Sequence, residues 1–519
     1  MKKTVTLAIV FSLMMFIFAG AGLAADTLHT AIVEDPNSLD PHDTTMAAAD
    51  EVMALIFDRL VYIDDNGEPQ PWIAESWEFS EDGTEVTFQI EEGIEFHDGN
   101  ILDEEAVEFT FQRLLDPETG APAAGWLGPI DTVEATGDYE VTFYFDEPYA
   151  PFLTQLSLSY FGILSPESVK EYGDDFSRNP VGSGPMIFNN WDGGTQINLV
   201  RNDNYNAHRD DVENQGPWNF ENMVFRIISE AGTRVAALET GELDVSPTPY
   251  EEVEYLEDHP GIEVFAWEDA TNFGFVEFNM DKEPFDQLEM RQAVGYAINN
   301  EEITQGAQAG YATPNYNPMP VGVAGHDPEI GEEYGYHYDP EKAIELLEEI
   351  GYEDTTGDGY VDKDGERLEL ELWTYEVDSA VASAQIIDYQ LGAVGIDTNI
   401  TVMETGMLFS RLPEGEHHLN YMRWTWPDPV IISMVFGSPG HTEMFSDPEF
   451  DEIVERADTT MDFEERMEIV REAQIYLLET ASTIPLFTDH VIFAHQNKVE
   501  GLRLGALGGL LFHDVEIVD

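Results

Sequence analysis

The sequence predicts an α/β protein built as two or three lobes. One reason is length, since 519 residues exceed what a single hydrophobic core usually organises. The other is a mixture of helix and strand signals in no strict order, with 43% apolar and 12% aromatic residues from which to build cores. Strands are expected at residues 85–90 and 139–145, where β-branched and aromatic residues alternate or run together. Helices are clearest in the second half. Asp339 supplies an N-cap and Pro340 a first helical position; Ala343, Leu346, Leu347 and Ile350 mark one face, and Gly351 ends the helix. The same reasoning gives helices near 233–239, 288–299, 379–394 and 463–480. No fixed-period repeat, low-complexity linker or Pro/Ser-rich hinge peptide occurs, so ordinary short crossings must join the lobes.

The first residues have the three parts of a secretory signal peptide: Lys2 and Lys3, an apolar run over 5–18, and small residues over 20–25. Cleavage is expected after Ala24, leaving about 495 residues. The apolar run is short for a membrane span, and no later segment is apolar enough for one. With 0 cysteines there is no disulfide, no thiol nucleophile and no lipid-modified anchor. A freely diffusing periplasmic monomer is the expectation.

Charge is the most unusual quantity: 104 acidic against 22 basic residues, a net of −82. Phosphate binding needs a basic surface, so nucleic acid is excluded as a partner. The acids are spread among aromatic and aliphatic runs along the whole chain, which is the pattern of a folded protein with a solvated acidic surface. Self-repulsion on this scale is tolerable where salt shortens the Debye length to about 3 Å at 1 M, and the charge reads as adaptation to a saline exterior. Two carboxylates can always meet in so acidic a chain, as in a glycosidase. However, G-x-S-x-G, H-E-x-x-H and phosphate-loop motifs are all lacking, so no enzyme and no cofactor is expected.

From Ala74 the chain reads AESWEFSEDGTEVTFQIEEGIEFHDGNILDEEAVEFTFQRLLDP. This is a strand hairpin turning at Asp82-Gly83, a second turn at Asp98-Gly99, and a helix starting near Asp103. The stretch closely resembles the peptide/nickel family (family 5) of extracellular solute-binding proteins, whose hallmark is a Trp, an acidic-Gly turn, a strand, then Phe-His-Asp-Gly leading into a helix. Further landmarks follow in that family's order: Ser38-Leu39-Asp40-Pro41-His42, Pro180-Val181-Gly182-Ser183-Gly184-Pro185, Arg201-Asn202-Asp203-Asn204-Tyr205, and the stretch from Leu238 to Asp244. Phe278-Asn279, the run from Met290 to Val294, and Tyr338-Asp339-Pro340-Glu341-Lys342-Ala343 complete the set.

The resemblance implies a two-lobed periplasmic-binding-protein fold of type II-like layout, with a hinge and an accessory domain on the first lobe. Carried onto this chain, the first lobe would be 25–50, 181–267 and 485–519, the accessory domain 51–180, and the second lobe 268–484. The hinge would lie near 267–271 and near 482–486. The function it implies is capture of dipeptides or oligopeptides outside the cytoplasmic membrane for the permease subunits of an ABC importer. Oligosaccharides and nickel chelates are the alternatives within the family.

The resemblance also implies ligand residues. In peptide-binding relatives a Trp followed by an acidic residue lines the cleft; Trp424 matches that Trp and Asp428-Pro429 the Asp-Pro that comes after it, with Thr425 and Trp426 between them. The amine-anchoring Asp of the family normally falls within this segment, which is shorter here. Arg423, one of few basic residues, is a candidate partner for a ligand carboxylate, with an internal salt bridge as the competing role. Glu34 and Asp35 match positions where the first lobe approaches ligand. Asp354, Thr356, Asp358 and Asp362 resemble the start of a calcium loop, but the twelfth position is Gly365 where a bidentate Glu belongs, so a surface turn is the expectation. His417-His418 lacks a second matched pair for a metal.

Overall fold

The computed structural model describes residues 27–438 and 447–518, so the expected signal peptide lies outside the described residues. The first lobe is built on a four-stranded sheet ordered Thr27–Ile32, Asn222–Ile227, Gln196–Arg201, Met186–Asp192. The first pair is parallel, with Leu28 opposite Met223, and the rest is antiparallel. Helix Ala47–Ile56 lies against this sheet, and its Val52, Met53 and Ile56 join Leu28, Leu199, Met223 and Phe225 in one core. The boundary expected between residues 50 and 51 falls inside this helix. The helix's buried face places it in the first lobe instead, and the accessory core begins only at Leu60.

The accessory domain holds an antiparallel sheet ordered Ala74–Phe79, Glu85–Ile90, Glu140–Phe145, Ile130–Gly137. Val86, Phe88 and Ile90 alternate inward, as a half-buried strand requires. Helix Glu104–Leu115 covers that face, capped by the Asp103 carboxylate on the Ala106 amide, and sets Phe111 edge-on to Phe143 at 4.8 Å.

The family-marking motifs fasten this domain to the first lobe. The His97 amide donates to the Gly182 carbonyl at 2.9 Å, and its ring Nε2 bonds the Gly184 carbonyl at 2.9 Å. Gly182 and Gly184 have to be glycine, because a Cβ at either would collide with the carbonyls of Ile56 and Leu55. Within the accessory domain, next to this joint, Asp98 accepts from the hydroxyls of Ser165 and Ser168 at 2.5 and 2.8 Å. Arg113 bonds both oxygens of Asp40, at 3.0 and 2.6 Å, and Nδ1 of His42 at 2.7 Å.

The second lobe has a six-stranded sheet ordered Ala312–Pro314, Thr483–Asp489, Asn272–Phe278, Leu419–Thr425, Glu369–Tyr375, Asp397–Met403. Both faces are covered, so Asn272–Phe278 and Thr483–Asp489 are almost continuously buried rather than alternating. Helices Leu288–Ala297, Pro340–Glu349 and Asp378–Ala393 pack on one face. Helices Ile431–Phe436, Pro448–Thr459 and Phe463–Glu479 pack on the other. Arg291 closes the end of the last of these by donating to the Thr480 carbonyl at 3.2 and 2.8 Å.

Two crossings join the lobes. Strand Ile262–Trp267 lies in a three-stranded sheet with Val245–Pro247 and Val491–Gln496, and the chain passes through 268–271 into Asn272–Phe278. It returns from Thr483–Asp489 to Val491–Gln496 through His490 alone. The return was expected near 482–486. Pairing with Asn272–Phe278 on one edge and Ala312–Pro314 on the other keeps the strand in the second-lobe sheet through Asp489. Among the described residues, no helix is long and apolar enough to cross a membrane.

Candidate ligand cleft

A cavity of about 760 Å³ lies where the accessory domain, the second lobe and a C-terminal turn face one another. The accessory domain contributes the 63–69 turn, held by Asp64, whose carboxylate accepts from the amides of Asn66 and Glu68 at 2.9 and 3.0 Å. The first crossing contributes Trp267, Asp269 and Thr271, and the second lobe contributes residues 321–324 and 427–429. From the C-terminus come residues 504–507, which belong to a tight turn closed by a bond from the Gly505 amide to the Gly509 carbonyl at 2.9 Å. Gly508 in that turn has φ +77 and lies flat against the Trp267 indole, which a Cβ would strike. The walls combine apolar surface from Ile63, Phe79 and Val321 with carboxylates from Asp65, Glu68 and Asp269. Volume and mixed polarity fit a ligand of a few residues.

Of the seven ligand residues expected, Asp428 is the one that lines this cavity. Its carboxylate is already committed: Arg466 bonds it at 2.5 and 3.3 Å, with both side chains buried. Burial alone would weaken the Arg466 guanidinium's hold on its proton, and Asp428 more than reverses that, so Arg466 stays ionised. Asp458 nearby, half-buried, is pushed up to about 7 by loss of solvation.

Arg423 makes the internal ion pair that competed with its ligand role. Its partner is Asp489, the fully buried last residue before the second crossing. Burial opposes the charge on Arg423, and Asp489 overcomes it, holding the guanidinium above its ordinary value. Strand alternation sends Met422 and Trp424 to the opposite face. There Trp424 packs at the margin of the second-lobe core and meets Phe409 edge-on at 6.0 Å. Trp426 is buried under the Trp126 indole of the accessory domain, and Thr425 is exposed at the strand's end, opposite Asn272. Asp35 accepts from Trp191 Nε1 at 2.8 Å and the Gly194 amide at 2.7 Å, and Glu34 beside it is exposed; neither lines the cavity.

The calcium-like turn satisfies itself. Asp354 accepts from the amides of Gly357, Asp358 and Gly359, Asp362 accepts from Thr355, and Asp358 lies 3.9 Å from Arg367. His418 Nδ1 accepts from the Glu371 amide at 2.9 Å, and His417 packs on Trp373 at 4.8 Å. Among the described residues, no group of three His, Cys, Asp or Glu is placed to hold a metal. The lining at 63–69, 321–324 and 504–507 was not foreseen. Asp64-Asp65-Asn66-Gly67 and Gly505-Ala506-Leu507-Gly508-Gly509 are legible as turns, but no local signal brings them together.

The family profile for bacterial extracellular solute-binding proteins, family 5 (Middle), matches residues 68–443. The glutathione-binding protein GsiB of Salmonella paratyphi A is 26% identical over 518 residues, covering 96% of each chain. Among solved structures, the ABC transporter-associated periplasmic binding protein DppA from Helicobacter pylori, in complex with the peptide STSA, is 26% identical with a TM-score of 0.75. That match covers 95% of this chain and 98% of the other. NikA from Brucella suis, in complex with Fe(III)-EDTA, has a TM-score of 0.84 at 23% identity, over 95% and 99% of the two chains.

Proposed function

Because this chain belongs to family 5 of the bacterial extracellular solute-binding proteins, we propose that the solute it captures for its ABC importer is a dipeptide or short oligopeptide. The observation that carries this reading is the cavity of about 760 Å³ between accessory domain and second lobe, with a chain crossing as one wall. Its carboxylates suit a peptide's amino group and its apolar walls suit side chains. The names of the relatives support the reading, since GsiB is called glutathione-binding and the DppA structure holds a peptide.

Export to the periplasm, cleavage after Ala24 and a monomeric state belong to the same proposal, resting on the signal-like first 25 residues and on the family. So does saline adaptation of the acidic surface. Sodium and potassium chloride should then raise the melting temperature alike between 0.01 and 2 M, and a flat curve refutes it.

Native mass spectrometry of the purified protein, followed by calorimetry with di- to pentapeptides, tests the ligand class. A copurified or added peptide bound one to one is the expected result. Saturation by an oligosaccharide or a nickel chelate, with no peptide bound, replaces the reading.

A further inference from the structure

Behind the C-terminal turn lies a smaller cavity of about 110 Å³ that shares Ile63 and residues 505–507 with the main cleft. Its lining is rich in donors: Arg59, Arg209, Trp218 and His513 face it. No carboxylate does, in a chain with 104 of them. Several donors are orphaned. Nε of Arg59, Nε1 of Trp218 and both ring nitrogens of His513 are buried with no hydrogen-bond partner, and Trp218 and His513 are only 1% and 5% exposed. Native proteins rarely leave buried donors unpaired, so such a cluster calls for an acceptor.

Arg59 and Arg209 differ in what they hold. Arg209 bonds Asp211 at 2.9 and 2.7 Å and stacks over Tyr62 and Trp72. The Arg59 guanidinium lies 4.4 Å over the Trp72 ring and, among the described residues, makes no hydrogen bond or ion pair. The acids near it are engaged elsewhere. Asp58 accepts from Ser183 at 3.0 Å and Tyr205 at 3.3 Å, and burial pushes it up to about 6; Asp50 accepts from Ser159. Burial and the neighbouring Arg209 pull Arg59 down to about 10, which leaves it charged at neutral pH. Burial and Arg209 push His513 down to about 3, so its imidazole is neutral and offers one N–H.

We propose that this side pocket is an anion subsite of the cleft, taking one carboxylate of the peptide, with Arg59 as its counter-ion and Trp218 and His513 as further donors. The inference rests on the reading of the main cavity as a peptide site. A carboxylate would supply the missing acceptors, and the planar guanidinium suits it in a two-pronged arrangement. The pocket has several times the space one buried water needs, enough for a carboxylate on a short stem. In so acidic a protein, a shielded positive pocket also overcomes the repulsion that a ligand carboxylate would otherwise meet.

The test uses the mature chain, trialanine, trialanine amide and Ala-Glu-Ala amide in calorimetry, beside an ¹⁵N measurement of the Arg59 Nε–H signal during acetate titration. The expected result is at least tenfold tighter binding of a carboxylate-bearing peptide than of trialanine amide, and R59Q should abolish that preference while binding the amide within threefold of wild type. Trialanine binding best identifies the C-terminus as the group held, and Ala-Glu-Ala amide binding best identifies an acidic side chain. Acetate should shift the Arg59 signal even if R59Q fails to fold. Equal binding of all three peptides overturns the subsite and leaves the peptide reading standing. An acetate-induced shift with no peptide binding supports the subsite and removes the peptide reading. No acetate shift overturns the subsite outright.

Discussion

The indole of Trp126 in the accessory domain meets that of Trp426 in the second lobe edge to face, with ring centroids 4.7 Å apart and planes at 87°. A backbone bond from the Ala150 amide to the Asp458 carbonyl at 2.8 Å spans the same two parts. Separating the lobes on this side has to break both contacts. An edge-to-face pair contributes about 0.5–1.5 kcal/mol beyond its buried area. Trp126→Ala is therefore expected to weaken peptide binding roughly threefold to tenfold by destabilising the closed form. Small-angle scattering should show a larger radius of gyration for the variant at equal ligand occupancy. Unchanged affinity and an unchanged profile would show that this pair does not hold the lobes together.

Trp424 was singled out as a ligand floor, and it packs instead at the edge of the second-lobe core against Phe409. Trp424→Ala should cost about 3 kcal/mol of stability, near the low end for a core aromatic because the residue is partly exposed. Urea denaturation is the readout. Wild-type stability together with weakened peptide binding would return Trp424 to the ligand site.

The buried Arg466–Asp428 pair stands at the cavity wall. Removing one partner leaves the other charged and unpaired in the interior, so Arg466→Met should cost about 3–5 kcal/mol. The double variant R466M/D428N should recover most of that loss in denaturant melts. A double variant no more stable than R466M would mean that packing around Arg466, and not the charge pair, sets the cost.

Acid should weaken the joint between accessory domain and first lobe. Burial pushes His97 down to about 4, and its unfolded value is near 6.5. A depressed histidine favours the neutral folded form, so its contribution is complete above pH 6.5 and is lost as pH falls toward 4. Neutralising surface carboxylates relieves repulsion over part of the same range, so the difference between wild type and His97→Gln is the quantity to follow. Wild type should lose more melting temperature than the variant between pH 7 and 4.5. Parallel curves would contradict the assignment.

The sequence made the fold legible because its strongest local signals are also structural. Asp103 and Asp339 cap the helices they precede, and the turns at Asp82-Gly83 and Asp98-Gly99 form with positive φ at both glycines. Three residues of the motifs that carried the family resemblance proved to be joints: Asp40, His42 and His97 hold the accessory domain to the first lobe, while Asp98 braces the accessory domain from within. The site was much less legible. Asp428 lines the cavity and Arg423 does not, and each is neutralised by a residue distant in sequence, Arg466 or Asp489. The side pocket gathers Arg59, Arg209, Trp218 and His513 from across the chain, and no spacing rule connects them. The second crossing was placed too early because an apolar run such as Thr483–Asp489 does not reveal which sheet its edges join.

The crossings have unequal lengths, and that asymmetry sets how the molecule can bend. Trp267 pairs with Val491 in one sheet and Phe273 with Thr488 in the other, so a two-stranded ribbon runs through both lobes and opens only between those pairs. On one side of the gap the chain has residues 268–272 to spare, and on the other only Asp489 and His490. A ribbon of this kind acts as a leaf spring. It bends across its width, and the side with less slack sets the pivot. The lobes should therefore approach along one arc with its pivot beside His490, where the buried Asp489–Arg423 pair clamps the short leaf. Small changes at that clamp are multiplied by the lever arm of the whole second lobe.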